Sequence, residues 1–193
     1  MDAKTLRFYF DFYCPYSYIG WSILKRQLQK KNIPIEFLAI GPNPPANKLL
    51  LGRKLWSDVR WEAISEHGKS EGLIVHKPAS TAMNVFPHRG LPFYEGVGVV
   101  EYISGIFKGI FALRLDFSTT RQIQTHLQSE GIDSLPFNNA CEDPNTQKQA
   151  EEKFLLWGER RIRTLPTLEF GQDRIAGVFD PRGVENFISI SFG

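Results

Sequence analysis

The chain has 193 residues, 42% apolar, 13% aromatic and 23% charged, which excludes a disordered, collagen-like or low-complexity protein and suits one globular domain, or one carrying a large insertion. Its 23 Lys and Arg against 21 Asp and Glu leave a formal charge of +2, too balanced to imply a nucleic-acid partner. Only two cysteines occur, Cys14 and Cys141, too few for a disulfide framework or a cysteine-based zinc site.

The first residues, Met1 to Thr5, place an acid where a signal peptide needs positive charge. Arg7 and Asp11 break the apolar run that follows, and no stretch reaches the ~18 uninterrupted apolar residues of a membrane span. A cytoplasmic location with reduced thiols and no membrane partner is therefore expected. Residues 6–12 are dense in aromatics and predict a buried strand, which runs into Cys14-Pro15-Tyr16-Ser17. Ile19, Ile23, Leu24 and Leu28 then recur at helical spacing, and Lys30 and Lys31 make a cationic finish. Residues 33–40 predict a second strand, with Pro34 at its start, where a missing N–H matters least. Strand, turn, helix, strand is one βαβ unit with parallel strands.

Residues 41–45 hold three prolines and break the pattern. From 48 to 72 a helical period runs through Leu51, Leu55, Val59, Ala63 and Ile64. Residues 77–92 look irregular because of Pro78, Pro87 and Pro92, and 93–111 look helical but weakened by four glycines. Ser118 opens another helix through Ile123 and Leu127, closed by Gly131. Residues 144–163 predict a long helix with Ala150, Phe154 and Leu155 on one face. The period then switches to alternation over 164–170, with a turn at 171–173 and a return over 174–178, which predicts a hairpin. Asp180 and Pro181 suit the cap and first position of a last helix. The order is βαβ, about 90 helical residues, then αββα, so an α/β protein with a mixed sheet flanked by helices is expected. The division is 1–47 and 141–193 for the sheet domain and 48–140 for an all-helical insertion domain.

Cys14 follows a strand and opens a helix, where unpaired N–H groups and the helix dipole favour thiolate and lower a thiol pKa. A small residue plugging the junction is the alternative. Ser17 stands three residues on, where a CxxC motif would hold its second cysteine. A thiolate at Cys14 therefore needs an external thiol such as glutathione to resolve a mixed disulfide, while the Ser17 hydroxyl can still donate a hydrogen bond.

The segment 10–20, Phe-Asp-Phe-Tyr-Cys-Pro-Tyr-Ser-Tyr-Ile-Gly, resembles the active-site segment of DsbA-family thioredoxin-fold proteins. That branch spans DsbA-like oxidoreductases, kappa-class glutathione transferases and 2-hydroxychromene-2-carboxylate isomerases. Thr164-Leu165-Pro166-Thr167 is similar to the family's cis-proline loop, and residues 177–181 to its hairpin-to-helix exit. The resemblance implies a thioredoxin fold with Cys14 as nucleophile, Ser17 beside it and Pro166 as the cis-proline. Leu165 would offer its backbone to glutathione or an extended peptide, with Pro15 and Tyr16 alongside. Asp180 lies where kappa-type proteins place an acid near the γ-glutamyl end of glutathione, though Pro181 departs from their pattern and a plain helix cap also accounts for it.

Arg160, Arg161 and Arg163 could pair with a carboxylate or simply finish a helix. His67, His76, His88 and His126 share no metal-ligand spacing and are taken as surface or structural. Tyr16, Tyr18, Trp56 and Trp61 suit core or substrate contacts equally, and Cys141 is taken as a bystander. The expected function is a single-cysteine thiol–disulfide oxidoreductase with glutathione as co-substrate and no metal. The alternatives are a glutathione-dependent isomerase or transferase, and a non-catalytic binding module. A homodimer is left open.

Overall fold

The computed structural model describes residues 5–40, 58–79, 85–94, 96–146, 148–149, 152 and 161–192. Its centre is a four-stranded sheet in the order β2-β1-β3-β4, built from β1 (Leu6–Phe10), β2 (Ile35–Ala39), β3 (Thr167–Phe170) and β4 (Asp173–Ala176). β1 and β2 are parallel, as a βαβ unit requires, whereas β1–β3 and β3–β4 are antiparallel. The sheet is mixed, as expected.

Alternation along β1 decides what each face of the sheet covers. Leu6, Phe8 and Phe10, each with no exposed surface, face α1 (Pro15–Leu28) and the last helix, α7 (Pro181–Phe192). Phe8 stacks on Phe10 at 5.0 Å, and Phe10 meets Phe12 edge-on at 5.1 Å. Tyr9 points the other way, into a smaller cluster with Leu38, Ile40 and Ile162, against which Leu165 packs.

The middle of the chain forms α2 (Asp58–Ser70), α3 (Phe86–Gly90) and a 3-10 turn (Leu91–Tyr94). Then come α4 (Val99–Phe107), continuing into a π-helical turn (Lys108–Ala112), α5 (Thr120–Ser129) and α6 (Leu135–Glu142). No strand falls among the described residues of this block. Residues 77–79 are irregular as expected, but 86–92 are helical: Pro87 stands in the first turn of α3, where its missing N–H costs nothing, instead of breaking it. α6 was not anticipated, although Pro136 stands in its first turn. α5 begins two residues later than expected, on a capping box in which Thr119 and Gln122 satisfy each other's backbone N–H groups.

The glycines that seemed to weaken the fourth helix permit close packing. A Cβ on Gly105 would lie 2.5 Å from Ile132, and one on Gly109 would lie 2.4 Å from Phe117. Of the period predicted over 48–72, Ile64 is fully buried but Ala63 faces solvent. Leu51, Leu55 and Trp56 lie outside the described residues, as do Ala150, Phe154, Leu155 and Arg160 of the predicted long helix. Buried side chains of the sheet, α1, α4, α5 and α6 belong to one hydrophobic cluster, so the helical block shares its core with the sheet.

Candidate active site

The site begins where β1 stops. The Asp11 carboxylate accepts the Tyr13 N–H at 3.0 Å, and the Asp11 carbonyl accepts the Cys14 N–H at 3.0 Å, which turns the chain sharply. Cys14 then sits in extended conformation as the N-cap of α1, with Pro15 opening the helix. Ser17, without exposed surface, accepts the Asp11 N–H through its hydroxyl at 3.3 Å. Facing this turn is the loop that enters β3, where the Leu165–Pro166 peptide is cis. The Cys14 thiol points at the Leu165 carbonyl, with Sγ 3.9 Å from the oxygen. Gly20 lets α1 rest on the Pro166 ring, since a Cβ there would lie 2.7 Å from Pro166 Cγ. The loop is tied from behind by Gly177, whose N–H donates to the Pro166 carbonyl at 2.8 Å.

Beside the sulfur lies a cleft of about 330 Å³ lined by Tyr16, Arg60, Thr164, Leu165, Gly177 and Val178. Two larger cavities hold none of these groups: one of about 460 Å³ along β2 through Leu28, Ile35 and Phe37, and one of about 530 Å³ against α5 through Thr119, Gln122 and His126. Concavity away from the sulfur and the proline loop does not make the reaction site.

The electrostatics of Cys14 differ from the sequence expectation. The residue keeps part of its surface open, but its sulfur is enclosed, and burial pushes the thiol up to about 11. The Ser17 hydroxyl pulls the other way, the Asp11 charge adds to the rise, and the backbone N–H groups of Ser17 and Tyr16 oppose it. The helix start thus acts in the expected direction and is outweighed, so the resting group at neutral pH is a thiol.

A family model described as the DSBA-like thioredoxin domain matches residues 5–189. The chain belongs to that family. No match is found among curated proteins. Among solved structures, the DSBA-like chain is similar to 2-hydroxychromene-2-carboxylate isomerase, with a TM-score of 0.79 at 18% identity over 96% of this chain and 95% of that one. It is also similar to a probable DsbA oxidoreductase from Streptomyces coelicolor, with a TM-score of 0.77 at 14% identity over 98% and 90%. A third is the cytosolic disulfide reductase DsbM from Pseudomonas aeruginosa with GSH, at 0.70 and 11% identity over 96% and 98%. These likenesses establish the thioredoxin-like fold.

In this DSBA-like domain the structure brings Cys14, Ser17, Leu165 and Pro166 together and sets Pro15 and Tyr16 beside them. Asp180 is spent mainly on structure: it is exposed, and its Oδ2 caps α7 by accepting the Gly183 N–H at 2.6 Å. Arg161 and Arg163 are exposed, and among the described residues the cation that lines the cleft is Arg60 on α2. Tyr18 belongs to the core, stacked on Phe107 and Phe111, and Trp61 packs partly buried against it. Cys141 is half-buried on α6. Of the histidines, His126 is buried against the Gly105 carbonyl, whereas His88 lies 3.2 Å from the Asp11 carboxylate, directly under the site. Among the described residues no three His, Cys, Asp or Glu side chains gather as a metal site, and no helix is long and apolar enough to cross a membrane. Sequence reasoning missed Arg60 and His88, and nothing local to either residue marks it.

Proposed function

We propose that this protein is a glutathione-coupled thiol–disulfide oxidoreductase working in the reducing direction, with Cys14 as its single nucleophile. The observation that carries this reading is the Cys14 sulfur at the start of α1, facing the Leu165 peptide, with a hydroxyl instead of a second thiol at Ser17. The Cys14 thiolate attacks a glutathione mixed disulfide R–S–S–G at the glutathione sulfur. The Cys14–S–S–G bond forms, the S–S bond of R–S–S–G breaks, and R–S⁻ leaves and takes up a proton. A second glutathione thiolate attacks the glutathione sulfur of Cys14–S–S–G, releasing Cys14 and oxidised glutathione. The net reaction turns R–S–S–G and one glutathione into R–SH and oxidised glutathione, one disulfide replacing another. The raised thiol argues against a strong oxidant, whose reduced form is stabilised as thiolate, and leaves the attack to the small ionised fraction of Cys14.

The backbone of Leu165 pairs with glutathione as an added strand, with Pro15, Tyr16 and Pro166 forming the rest of the wall. Arg60 takes a carboxylate of the tripeptide. Asp180 has one oxygen left over from capping α7 for the γ-glutamyl ammonium. The part of the helical insertion domain that carries Arg60, α2, closes the cleft on that side. A reducing, cytoplasmic setting fits, as for the DsbM neighbour.

A second reading has its own support. A Cys14 that stays protonated can donate a hydrogen bond to a glutathione thiolate, which suits an isomerase or transferase of the kind named in one structural neighbour. Cys14→Ser separates the two. The variant should lose reduction of a glutathionylated peptide, followed as oxidised glutathione, and should trap no mixed disulfide. Retained glutathione-dependent turnover of a non-disulfide electrophile in that variant overturns the reductase in favour of the isomerase or transferase. Neither turnover nor a mixed disulfide in the wild type leaves only a binding module.

A further inference from the structure

Asp11 is the hub of the turn that carries Cys14. Its N–H donates to Ser17 Oγ, its carbonyl accepts the Cys14 N–H, and its Oδ1 accepts the Tyr13 N–H. The remaining contact of that oxygen comes from outside the segment: Nε2 of His88, on α3 of the helical block, at 3.2 Å and 77 residues away. Both side chains are nearly enclosed, at 2% and 8% exposed for His88 and Asp11. The imidazole is also held by rings from the same turn, edge-on to Phe12 at 5.2 Å and stacked with Tyr13 at 6.1 Å. A carboxylate buried this deeply remains charged only where hydrogen-bond donors converge on it.

We propose that His88 and Asp11 act as a pair of positioning residues for Cys14: the imidazole N–H holds the carboxylate beneath the first turn of α1, and the carboxylate ties that turn together and lays a negative charge under the sulfur. The proposal deepens the Cys14 reading and rests on it for its functional meaning. Among the described residues, the other titratable or charged groups around this point are accounted for by element. Tyr13 lies on the same turn as Cys14. Arg89 of α3 turns away to the carbonyls of Ala140, Cys141 and Asp143, and Tyr102 of α4 donates to the Pro87 carbonyl. Arg60 stands in the neighbouring cleft. Asp11 is thus the acid that faces the thiol, and its charge favours the protonated sulfur, in line with the direction found for Cys14. Without His88 the carboxylate loses the donor that holds it beneath the first turn of α1, so its influence on the sulfur weakens.

The test is the rate of Cys14 alkylation by iodoacetamide against pH, followed on the Cys14 peptide by mass spectrometry in the full-length protein. Asp11→Asn should shift the profile to lower pH and speed alkylation at pH 7 roughly three- to tenfold. His88→Leu should shift it the same way. The double variant should match Asp11→Asn alone, because His88 acts through the carboxylate. His88→Gln, which can still donate to the carboxylate, should keep the wild-type profile. If His88→Leu folds poorly, Asp11→Asn and His88→Gln decide. An unmoved profile in Asp11→Asn, a His88→Gln shift as large as that of Asp11→Asn, or additive effects in the double variant overturns the proposal. Alkylation requires no turnover, so a failed reductase assay leaves this result independent of the functional reading.

Discussion

At the scale of single residues, the site turns on the competition at Cys14 between a helix start that stabilises thiolate and an enclosure that penalises it. Enclosure wins, because desolvating a charge costs more than one helix terminus and a hydroxyl return. With the thiol at about 11, roughly one molecule in 10⁴ is ionised at pH 7. Alkylation of Cys14 should therefore climb about tenfold per pH unit from 7 to 10 without levelling, and a plateau below pH 9 contradicts the enclosure. The same group links pH to stability. The unfolded chain releases this proton near pH 9 and the folded one near 11, so the contribution is whole below 9 and lost as pH rises towards 11. Thermal melts of wild type and Cys14→Ala should diverge below that window and converge across it. Arg60 supplies the other residue-scale prediction. Arg60→Ala should raise the KM for glutathione about three- to tenfold with little change in kcat, the pattern of a lost ground-state contact at a partly exposed charge.

At the scale of elements, α1 does two jobs, aiming its first turn at the cleft and resting its flank on the loop opposite. Gly20 is where the second job shows. In a helix interior alanine is favoured over glycine by about 1 kcal/mol, but a Cβ here would sit 2.7 Å from Pro166 and 3.0 Å from Phe179. Gly20→Ala should therefore destabilise the protein by about 1–2 kcal/mol in urea titrations. A stabilised variant would show that the contact between α1 and the proline loop yields easily. The loop is held from its other side by the Gly177 N–H, so Cys14 and Leu165 face each other across two braced elements. The end of β1 contributes in the same way, through an aspartate whose hydrogen bonds fix the turn before the helix begins.

At the scale of the whole molecule, the sheet is clamped by a line of alternating charges, one per strand: Glu36, Arg7, Glu169 and Arg174. Each lies opposite the next in register. Arg7 reaches Glu36 at 3.0 Å and Glu169 at 3.2 Å, and Arg174 Nε donates to Glu169 at 2.6 Å. Glu169 is almost wholly enclosed, and removing the central carboxylate strands buried positive charge. Glu169→Gln should therefore cost about 3 kcal/mol of unfolding free energy, measured by denaturant titration. A loss below about 1 kcal/mol would show the line to be solvent-screened. Because the helical block and the sheet share one hydrophobic cluster, the lost stability should be felt across the molecule.

What the sequence determined by itself is what short-range chemistry governs. The aromatic strand, Pro15 at the helix start, the Gly171 turn of the hairpin and Asp180 as a cap each depend on neighbours within a few positions, where periodicity, proline and side-chain capping act. Cys14 and Ser17 were legible for the same reason, and the loop at Pro166 by its likeness to a known family. Tertiary structure alone decided that Leu165, 151 residues from Cys14, receives its thiol, that Arg60 lines the cleft, and that His88 lies beneath Asp11. It also reversed the sign expected for the Cys14 thiol. A helix terminus can be seen in a run of ten residues, whereas the desolvation that opposes it depends on atoms gathered from the whole chain.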